Sequence, residues 1–288
     1  MIARPPSYVL TLSCPDAVGI VAAVTTNLAQ HGALVTEAQH FREPVSSSSI
    51  LRIVFESGRA TALDIERWTR EFVKLAEQFQ MTWKIRHAAT RQRVLVAVSK
   101  EGHCLKSLLH RWEVGTLPVD IVGVVSNHET QRRLVEWHGL SYHYLPIEPQ
   151  GKAAQEQRLL GLFRELTADL LVLARYMQIL SSELCRELTG KAINIHHSFL
   201  PGFKGARPYH QAHARGVKLI GATAHYVNDD LDEGPIIEQA VERVDHTMDP
   251  EQLTTLGNEI ESVVLNRAIQ WHAEDRIFEF GNRTVILR

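Results

Sequence analysis

The chain has 288 residues, of which 44% are hydrophobic and 22% are charged, and its formal net charge is −2. This length corresponds to about two domains with buried cores, and the composition excludes a globally disordered protein. The near-neutral charge argues against a general polyanion-binding protein such as a nucleic-acid-binding one, because the neutralisation of phosphates requires a basic face.

The cysteines and the apolar runs indicate where the protein works. Cys14, Cys104 and Cys185 are far apart and odd in number, which favours a reducing compartment over a disulfide framework. No N-terminal stretch resembles a signal peptide, and no apolar run reaches the roughly 18 residues of a membrane span. The 15 histidines form neither a CxxC nor an HExxH pattern, so the sequence predicts no metal site. We therefore expect a soluble cytoplasmic protein that does not contact the membrane.

The first 86 residues predict a small α+β domain. Alternation and β-branched residues indicate strands, and apolar residues at helical spacing indicate two helices, the first of which ends at Gly32. Asp16 precedes this first helix and is predicted to cap it. The predicted elements are a strand at 8–14, a helix from 20, strands at 35–41 and 49–55, a helix at 63–79 and a strand at 81–86. Their β-α-β-β-α-β order is that of the ferredoxin-like split unit.

This first domain also resembles a known regulatory module. Its fold and the turn Asp16-x-x-Gly19-Ile20 resemble those of ACT domains, which often bind an amino acid where two domains pair. The resemblance implies a homo-oligomer with an amino-acid effector site at Asp16, Gly19 and the 27–32 end of the first helix. A purely structural dimerisation module without a ligand is the alternative, because the fold by itself implies no function.

A polar linker at 87–93 separates this domain from a second one at 94–288. Val94 to Val98 form a continuous apolar run, which is typical of a strand buried on both faces of a parallel sheet. Strand and helix patterns then alternate as far as residue 195, so we expect a doubly wound, mostly parallel α/β sheet. The last predicted elements are a strand at 236–244, a helix from 250 through 271 and a hairpin at 276–287.

Polar residues with catalytic potential follow two of the predicted strands. Asn194 and His196 alternate with apolar residues, so both side chains leave the strand on one face, whereas His197 should lie on the opposite face as a structural residue. A second apolar run carries His225 and ends in the loop that contains Asp232. An amide and an imidazole can hold a carbonyl oxygen as it gains negative charge, and a carboxylate can take a proton from water or an amine. The alternative is that these residues cap strand ends and turns.

An ordered set of residues in this region resembles the formyltransferase family that uses 10-formyltetrahydrofolate. The set is Asn194-x-His196-x-Ser198-x-Leu200-Pro201, Gly221-x-Thr223-x-His225 and Leu231-Asp232-x-Gly234-Pro235. The resemblance implies that Asn194, His196 and Asp232 act in formyl transfer and that His225 is a further active-site residue. It implies no cofactor, because the small-molecule folate is itself the substrate.

The same resemblance implies a folate pocket. The stretch Leu173-Ala174-Arg175-Tyr176-Met177-Gln178-Ile179-Leu180 matches the part of the family that runs along the pterin. The residues implied to bind substrate are Arg175, Met177, Gln178, Ile179, Leu180, Ser198 and Gly205. Family members that formylate a ribonucleotide often have Arg at the position of Gln178, so a charged contact is not implied here. For Met177, Ile179 and Leu180 the alternative is packing in an ordinary core.

The order of the two domains points to a branch of this family. An ACT-like domain before a formyltransferase-like domain resembles the related deformylases, which hydrolyse 10-formyltetrahydrofolate to formate and tetrahydrofolate, supply formate for purine biosynthesis and balance the one-carbon folate pools. The first βα turn, Ser99 to Cys104, favours water as the acceptor, because it has one glycine and Glu101 would repel a phosphate. Transfer of the formyl group to an amine is the alternative, and a non-catalytic amino-acid sensor is a third hypothesis.

Overall fold

The computed structural model describes residues 5–58, 63–147, 151–200 and 208–288. The chain forms two compact units, the first within 1–91, 275–280 and 285–288 and the second within 92–274 and 281–284. The boundary between the units falls inside the predicted linker at 87–93. Most of the segment from 275 to 288 belongs to the first unit, although it was predicted to belong to the second domain. Among the described residues, no helix is both long and apolar enough to cross a membrane.

The first unit has the small α+β fold and the β-α-β-β-α-β order that were predicted. Its elements are β1 (Ser7–Pro15), α1 (Ile20–Gln30), β2 (Ala33–Glu43), β3 (Ser48–Ser57), α2 (Ile65–Gln78) and β4 (Thr82–His87). The strands pair antiparallel in the order β2-β3-β1-β4. Phe55 of β3 packs against Trp68 of α2, which stacks on Phe72, and all three are fully buried. The core of this unit therefore lies between the sheet and its helices.

The prediction that Asp16 caps α1 is wrong. The N-cap of α1 is Gly19, which has a φ of 90° and makes no side-chain cap. Asp16 lies earlier in the turn, where its carboxylate accepts a hydrogen bond from the Ser49 hydroxyl at 2.7 Å and pairs with Arg42 at 2.5 Å. Partners on β2 and β3 therefore occupy the side chain that was expected to cap the helix.

The second unit is an α/β fold around a mostly parallel sheet of seven strands, as predicted. Its strands are β5 (Gln92–Val98), β6 (Val119–Ser126), β7 (Tyr142–Tyr144), β8 (Leu170–Leu173), β9 (Ala192–His196), β10 (Leu219–Tyr226) and β11 (Ile236–Arg243). Its helices are α3 (His103–Glu113), α4 (Arg132–Trp137), α5 (Lys152–Glu165), α6 (Ser182–Glu187), α7 (Pro208–Ala214) and α8 (Pro250–Ala273). The strand order is β11-β10-β9-β8-β5-β6-β7, and β10 runs antiparallel to both of its neighbours.

This topology brings the carboxyl ends of the central strands to one edge of the sheet. β5 pairs in parallel with both β8 and β6, and β9 continues the parallel set on the side of β8. Ligands of such open sheets bind at the carboxyl edge, near the point where the strand order reverses. Val94 to Val98 are all buried, as expected for a parallel strand that is covered on both faces.

Two further features complete the fold. The long helix α8 begins after Asp249, whose carboxylate accepts hydrogen bonds from the backbone N–H groups of Glu251 and Gln252 in a capping box. The predicted terminal hairpin consists of β12 (Ile277–Phe280) and β13 (Arg283–Ile286), which pair as a two-stranded sheet. Because Asp249 satisfies N–H groups that the helix cannot pair internally, α8 starts at a defined position along the chain.

Charged contacts explain why the C-terminal segment belongs to the first unit. Asp275 is buried, and its carboxylate pairs with Lys84 and Arg86 of β4. Burial alone would raise the pKa of Asp275, but the two cations lower it further than burial raises it, so the carboxyl stays ionised. Arg276 donates to Glu37 of β2 at 3.1 Å. None of these pairs could be predicted from local sequence patterns.

Candidate active site

Strand register brings the first two polar residues of the site together. Asn194 and His196 leave β9 on one face, and the antiparallel pairing of β10 with β9 places His225 opposite Asn194. As a result, Nδ2 of Asn194 lies 3.2 Å from Nε2 of His225. The amide and the second imidazole are thus neighbours although they are far apart in the sequence.

A tight loop after β10 adds the carboxylate. Asp232 has a φ of 59°, in the left-handed region that non-glycine residues seldom adopt. A Cβ atom on Gly234 would lie 1.8 Å from the carbonyl oxygen of Tyr226, so only glycine allows the loop to fold back this closely. The Asp232 carboxylate thereby lies 3.2 Å from Nδ1 of His196 and 3.8 Å from Nε2 of His225.

The neighbours of the two imidazoles define their hydrogen-bonding roles. Nδ1 of His225 lies 2.9 Å from the carbonyl oxygen of Tyr226, which can only accept, so Nδ1 carries a proton. In the neutral imidazole Nε2 is then the acceptor for the Asn194 amide. His196 uses Nδ1 toward Asp232, and its Nε2 lies 2.8 Å from the hydroxyl oxygen of Ser198.

Electrostatics keep Asp232 ionised. Burial raises the pKa of this carboxyl, but its interactions with His196 and His225 lower it by more, and the resulting pKa lies well below the ordinary value. An ionised carboxylate between two imidazoles can orient a water molecule. Its low pKa makes it a weak proton acceptor unless a neighbouring imidazole shares the proton.

These groups face one cavity of about 290 Å³ at the carboxyl ends of β8 and β9. Asn194, His196, His225 and Asp232 all line this cavity. The predicted folate-binding residues Arg175, Met177, Gln178, Ile179 and Leu180 line it as well. The side chains of Met177 and Ile179 are 55% and 59% exposed, so they do not pack in an ordinary core. The cavity therefore combines apolar walls with an amide, two imidazoles and a carboxylate, the composition of a small-molecule site.

The remaining predicted residues have different places. Ser198 is buried and does not itself line the cavity, but its hydroxyl contacts His196, which does. Gly205 lies outside the described residues. His197 lines the cavity although alternation predicted the opposite face, because β9 ends at His196 and the chain no longer alternates beyond it. Burial, aided by Arg175 and His196, lowers the pKa of His197 to about 4, so this imidazole is neutral at pH 7.

Ser99 connects the cavity to the first βα turn. Its hydroxyl accepts a hydrogen bond from the backbone N–H of Met177 at 3.0 Å and donates to the side-chain oxygen of Asn127 at 2.7 Å. Its own N–H donates to the carbonyl oxygen of Arg175, which has a φ of 64°. The strained backbone of the cavity wall is therefore fixed by the end of the neighbouring central strand.

A second polar cluster beside the cavity was missed by the sequence analysis. Glu261 of α8 is fully buried, and its carboxylate accepts hydrogen bonds from the hydroxyl of Tyr209 at 2.6 Å and from Nε2 of His103 at 2.8 Å. Nε of Arg175 lies 3.5 Å from the same carboxylate. The one available signal was an acidic residue among the apolar positions of α8, such as Ile260 and Val264.

This cluster contains the only described group whose donor atoms are close enough to hold a metal. The donor atoms of His103, Cys104 and Glu261 lie within 4.8 Å of one another. Glu261 is already hydrogen-bonded to His103 and Tyr209, however, and burial raises the pKa of the Cys104 thiol, so this sulfur is a poor ligand. We therefore assign no metal chemistry to these residues.

Comparisons with known proteins show the family to which this chain belongs. Residues 92–269 match the family model described as formyl transferase. A relative from Corynebacterium sp. (strain P-1), named formyltetrahydrofolate deformylase, is 50% identical over 98% of this chain and 98% of its own length. A relative of the same name from Bacillus subtilis (strain 168) is 45% identical over 96% of this chain and 92% of its own length.

A solved structure extends the similarity to the whole fold. The crystal structure of formyltetrahydrofolate deformylase from Burkholderia mallei has a TM-score of 0.93 and 52% sequence identity, and the match covers 99% of this chain and 100% of that one. The similarity in fold and in sequence therefore extends over nearly the full length of both chains. This chain therefore belongs to the formyltetrahydrofolate deformylase family, whose catalytic domain is of the formyl transferase type.

Proposed function

We propose that this protein hydrolyses 10-formyltetrahydrofolate to formate and tetrahydrofolate. The observation that carries the proposal is the convergence of Asn194, His196, His225 and Asp232 on one cavity, in a chain of this family. Among the described residues that line this cavity the one thiol is that of Cys185, whose pKa is raised by burial, and the nearby Ser198 hydroxyl is held by His196. Direct attack by water on the formyl carbon fits this set of groups.

The reaction assigns a role to each group. The formyl oxygen accepts a hydrogen bond from the Asn194 amide, and His196 stabilises the negative charge that this oxygen gains. Asp232 orients the attacking water, and the proton that the water loses is shared between this carboxylate and the imidazoles at 3.2 and 3.8 Å. A bond forms from the water oxygen to the formyl carbon, the bond from that carbon to N10 breaks, and the proton passes to N10.

The substrate is held by the cavity wall. Met177, Ile179 and Leu180 provide apolar surface for the flat pterin, and the backbone around Gln178 offers polar groups to its edge. Ser198 supports His196, and Gly205 is proposed to contact the substrate on the basis of family resemblance alone. No further cofactor enters this scheme, because the folate supplies the reacting group.

The test is the fate of the formyl group when no acceptor is added. Incubation of the protein with 10-formyltetrahydrofolate should release formate and tetrahydrofolate in equal amounts at an enzymatic rate. Release that requires an added amine would support transfer to that amine and contradict hydrolysis. The absence of turnover under both conditions would support the third hypothesis, that of a non-catalytic sensor.

We also propose that the first unit is an ACT-like module of a cytoplasmic homo-oligomer. Its fold and the turn from Asp16 to Gly19 support an amino-acid effector site, and the fully exposed Val18 at this turn suits a surface that another molecule covers. The released formate would supply purine biosynthesis. A panel of amino acids in the formate assay tests the effector, and light scattering tests the oligomer. If no amino acid changes the rate, the structural dimerisation module is the correct interpretation.

A further inference from the structure

The cavity wall that carries the predicted folate-binding residues is the stretch 175–180, which lies between β8 and α6 and belongs to no helix or strand. A hydrogen bond within it joins the N–H of Gln178 to the carbonyl oxygen of Tyr176 at 2.8 Å. Met177 and Ile179 are each more than half exposed. Apolar side chains in solvent gain no burial energy until a ligand covers them, so contacts outside the wall have to maintain its shape.

The wall is attached at both of its ends. At its start, the Ser99 hydroxyl accepts a hydrogen bond from the backbone N–H of Met177 at 3.0 Å. At its end, the carboxylate of Glu156 on α5 accepts a hydrogen bond from the backbone N–H of Ser181 at 2.9 Å. Ser181 follows the wall directly, and its hydroxyl caps α6 by accepting the N–H of Leu184 at 3.3 Å. Glu156 therefore fixes the point at which the wall ends and α6 begins.

Glu156 is a buried acid that the proposed reaction does not use. It is 8% exposed and does not line the cavity. Nζ of Lys152, one turn earlier on α5, lies 3.7 Å from the same carboxylate oxygen that binds Ser181. Burial of a carboxylate costs free energy that an apolar side chain would not cost, so an acid at this position indicates a function other than packing.

The surroundings of Glu156 place it directly behind the wall. Burial, with a contribution from the charge of Glu156, raises the pKa of the Tyr176 hydroxyl to about 12. Tyr176 belongs to the same apolar cluster as Leu159 of α5 and Leu184 of α6. Apolar packing is not directional, whereas a hydrogen bond requires its donor at a defined position. The cluster thus holds the wall against α5, and the bond from Ser181 to Glu156 determines which residues of the wall face the cavity.

We propose that Glu156 is a positioning residue for the folate substrate. By holding the N–H of Ser181, it keeps the wall from Met177 to Leu180 in the conformation that binds the pterin, and it touches neither the substrate nor the groups around the formyl carbon. The proposal rests on the proposed function, because the wall binds a pterin only if a folate is the substrate. A wall that is already ordered costs less to bind against, so Glu156 acts on KM and not on kcat.

The test compares Glu156→Ala, which removes the acceptor for the Ser181 N–H, with Glu156→Gln, which keeps an acceptor oxygen. Steady-state formate release gives KM and kcat, and calorimetry gives the Kd of tetrahydrofolate. For Glu156→Ala we expect KM and Kd to rise by about tenfold or more, the effect of losing one hydrogen bond to a charged acceptor, while kcat changes by less than about twofold. Glu156→Gln should stay within about threefold of the unmodified protein. The matched control is Glu165→Ala, an exposed carboxylate on the same helix, which should change neither constant.

Hydrogen exchange localises the effect, because the Ser181 amide should exchange faster in Glu156→Ala than in Glu156→Gln. If Glu156→Ala does not fold, Glu156→Asp replaces it, since its shorter side chain keeps the charge and withdraws the acceptor. Unchanged KM and Kd in the folded variant, a fall in kcat as large as the rise in KM, or equal defects in the Ala and Gln variants would overturn the proposal. Tetrahydrofolate binding without formate release by the unmodified protein would instead contradict the proposed hydrolysis, and the Kd values would still test the role of Glu156.

Discussion

The side-chain nitrogen of Asn194 lies 3.2 Å from Nε2 of His225. Nδ1 of the same imidazole is hydrogen-bonded to the carbonyl oxygen of Tyr226 at 2.9 Å. The backbone carbonyl fixes the proton of His225 on Nδ1, so Nε2 accepts one N–H of the amide. The amide is thereby held in one orientation, because its nitrogen and not its oxygen must face Nε2 of His225. Its second N–H is the donor that we assign to the formyl oxygen.

Asn194→Ala should lower kcat for formate release by about 10²–10³-fold, the usual effect of removing one oxyanion donor. KM should change little, because the interaction strengthens only as the oxygen gains charge. Steady-state kinetics on the folded variant check this outcome. A higher KM at unchanged kcat would show that Asn194 binds the substrate and does not stabilise the transition state.

Asp232→Asn should reduce kcat by about 10²–10⁴-fold while the fold is retained. Asparagine tolerates the left-handed backbone at this position, where φ is 59°, so the substitution removes the charge without new strain. Formate release and thermal unfolding are measured side by side, with Glu242→Gln on the exposed part of β11 as the control. Near-normal release by Asp232→Asn would mean that the carboxylate is not needed to orient or deprotonate the water.

The low pKa of His197 should make the protein less stable in mild acid. Its pKa of about 4 in the fold lies below the ordinary value of 6.5, so the unfolded chain takes up a proton first as the pH falls. The sign is therefore a loss of stability between those two values, by about 2 kcal/mol at pH 5. His197→Gln should lack this loss. Urea unfolding at pH 7.5 and pH 5 measures it, and an equal loss in both proteins would contradict the assignment.

Gly257→Ala should destabilise the second unit and disturb Tyr209. A Cβ atom at this position of α8 would lie 2.0 Å from Cζ of the Tyr209 ring, so the ring would have to move away from Glu261. We expect a loss of about 1–3 kcal/mol, typical of overpacking. Gly161→Ala in α5 is the matched control, because nothing lies within 4 Å of its added Cβ and a gain of about 0.5–1 kcal/mol is expected there. Urea unfolding compares the two, and equal stability would contradict the packing argument.

Patterns with a local cause could be predicted from the sequence. The apolar run from Val94 to Val98 predicted a buried strand, and alternation placed Asn194 and His196 on one face, because both patterns depend only on neighbouring residues. The capping box of Asp249 with Gln252 is likewise local, because both residues lie within the first turn of α8. By contrast, the alternation rule failed for His197, since the strand ends one residue earlier.

Features that depend on distant parts of the chain could not be predicted in this way. Asp232 reaches the two imidazoles only because a left-handed residue and Gly234 fold the loop back, and family resemblance, not spacing, indicated its role. Glu261 of α8 contacts His103 of α3, although the apolar pattern of α8 predicted only that this helix packs against the core. Asp16 does not cap the helix as expected, because its carboxylate binds Ser49 and Arg42, which lie on β3 and β2.

The carboxylate of Asp275 pairs with Lys84 and Arg86, although residues 92–274 of the second unit lie between them in the sequence. During translation, nearly all of the second unit is therefore synthesised before the residue that the first unit needs for this ion pair. A fragment cut at residue 91 would lack that residue, and a tag or truncation at the carboxyl terminus would act on the unit made first. The first unit can therefore form this ion pair only after residue 275 has been synthesised.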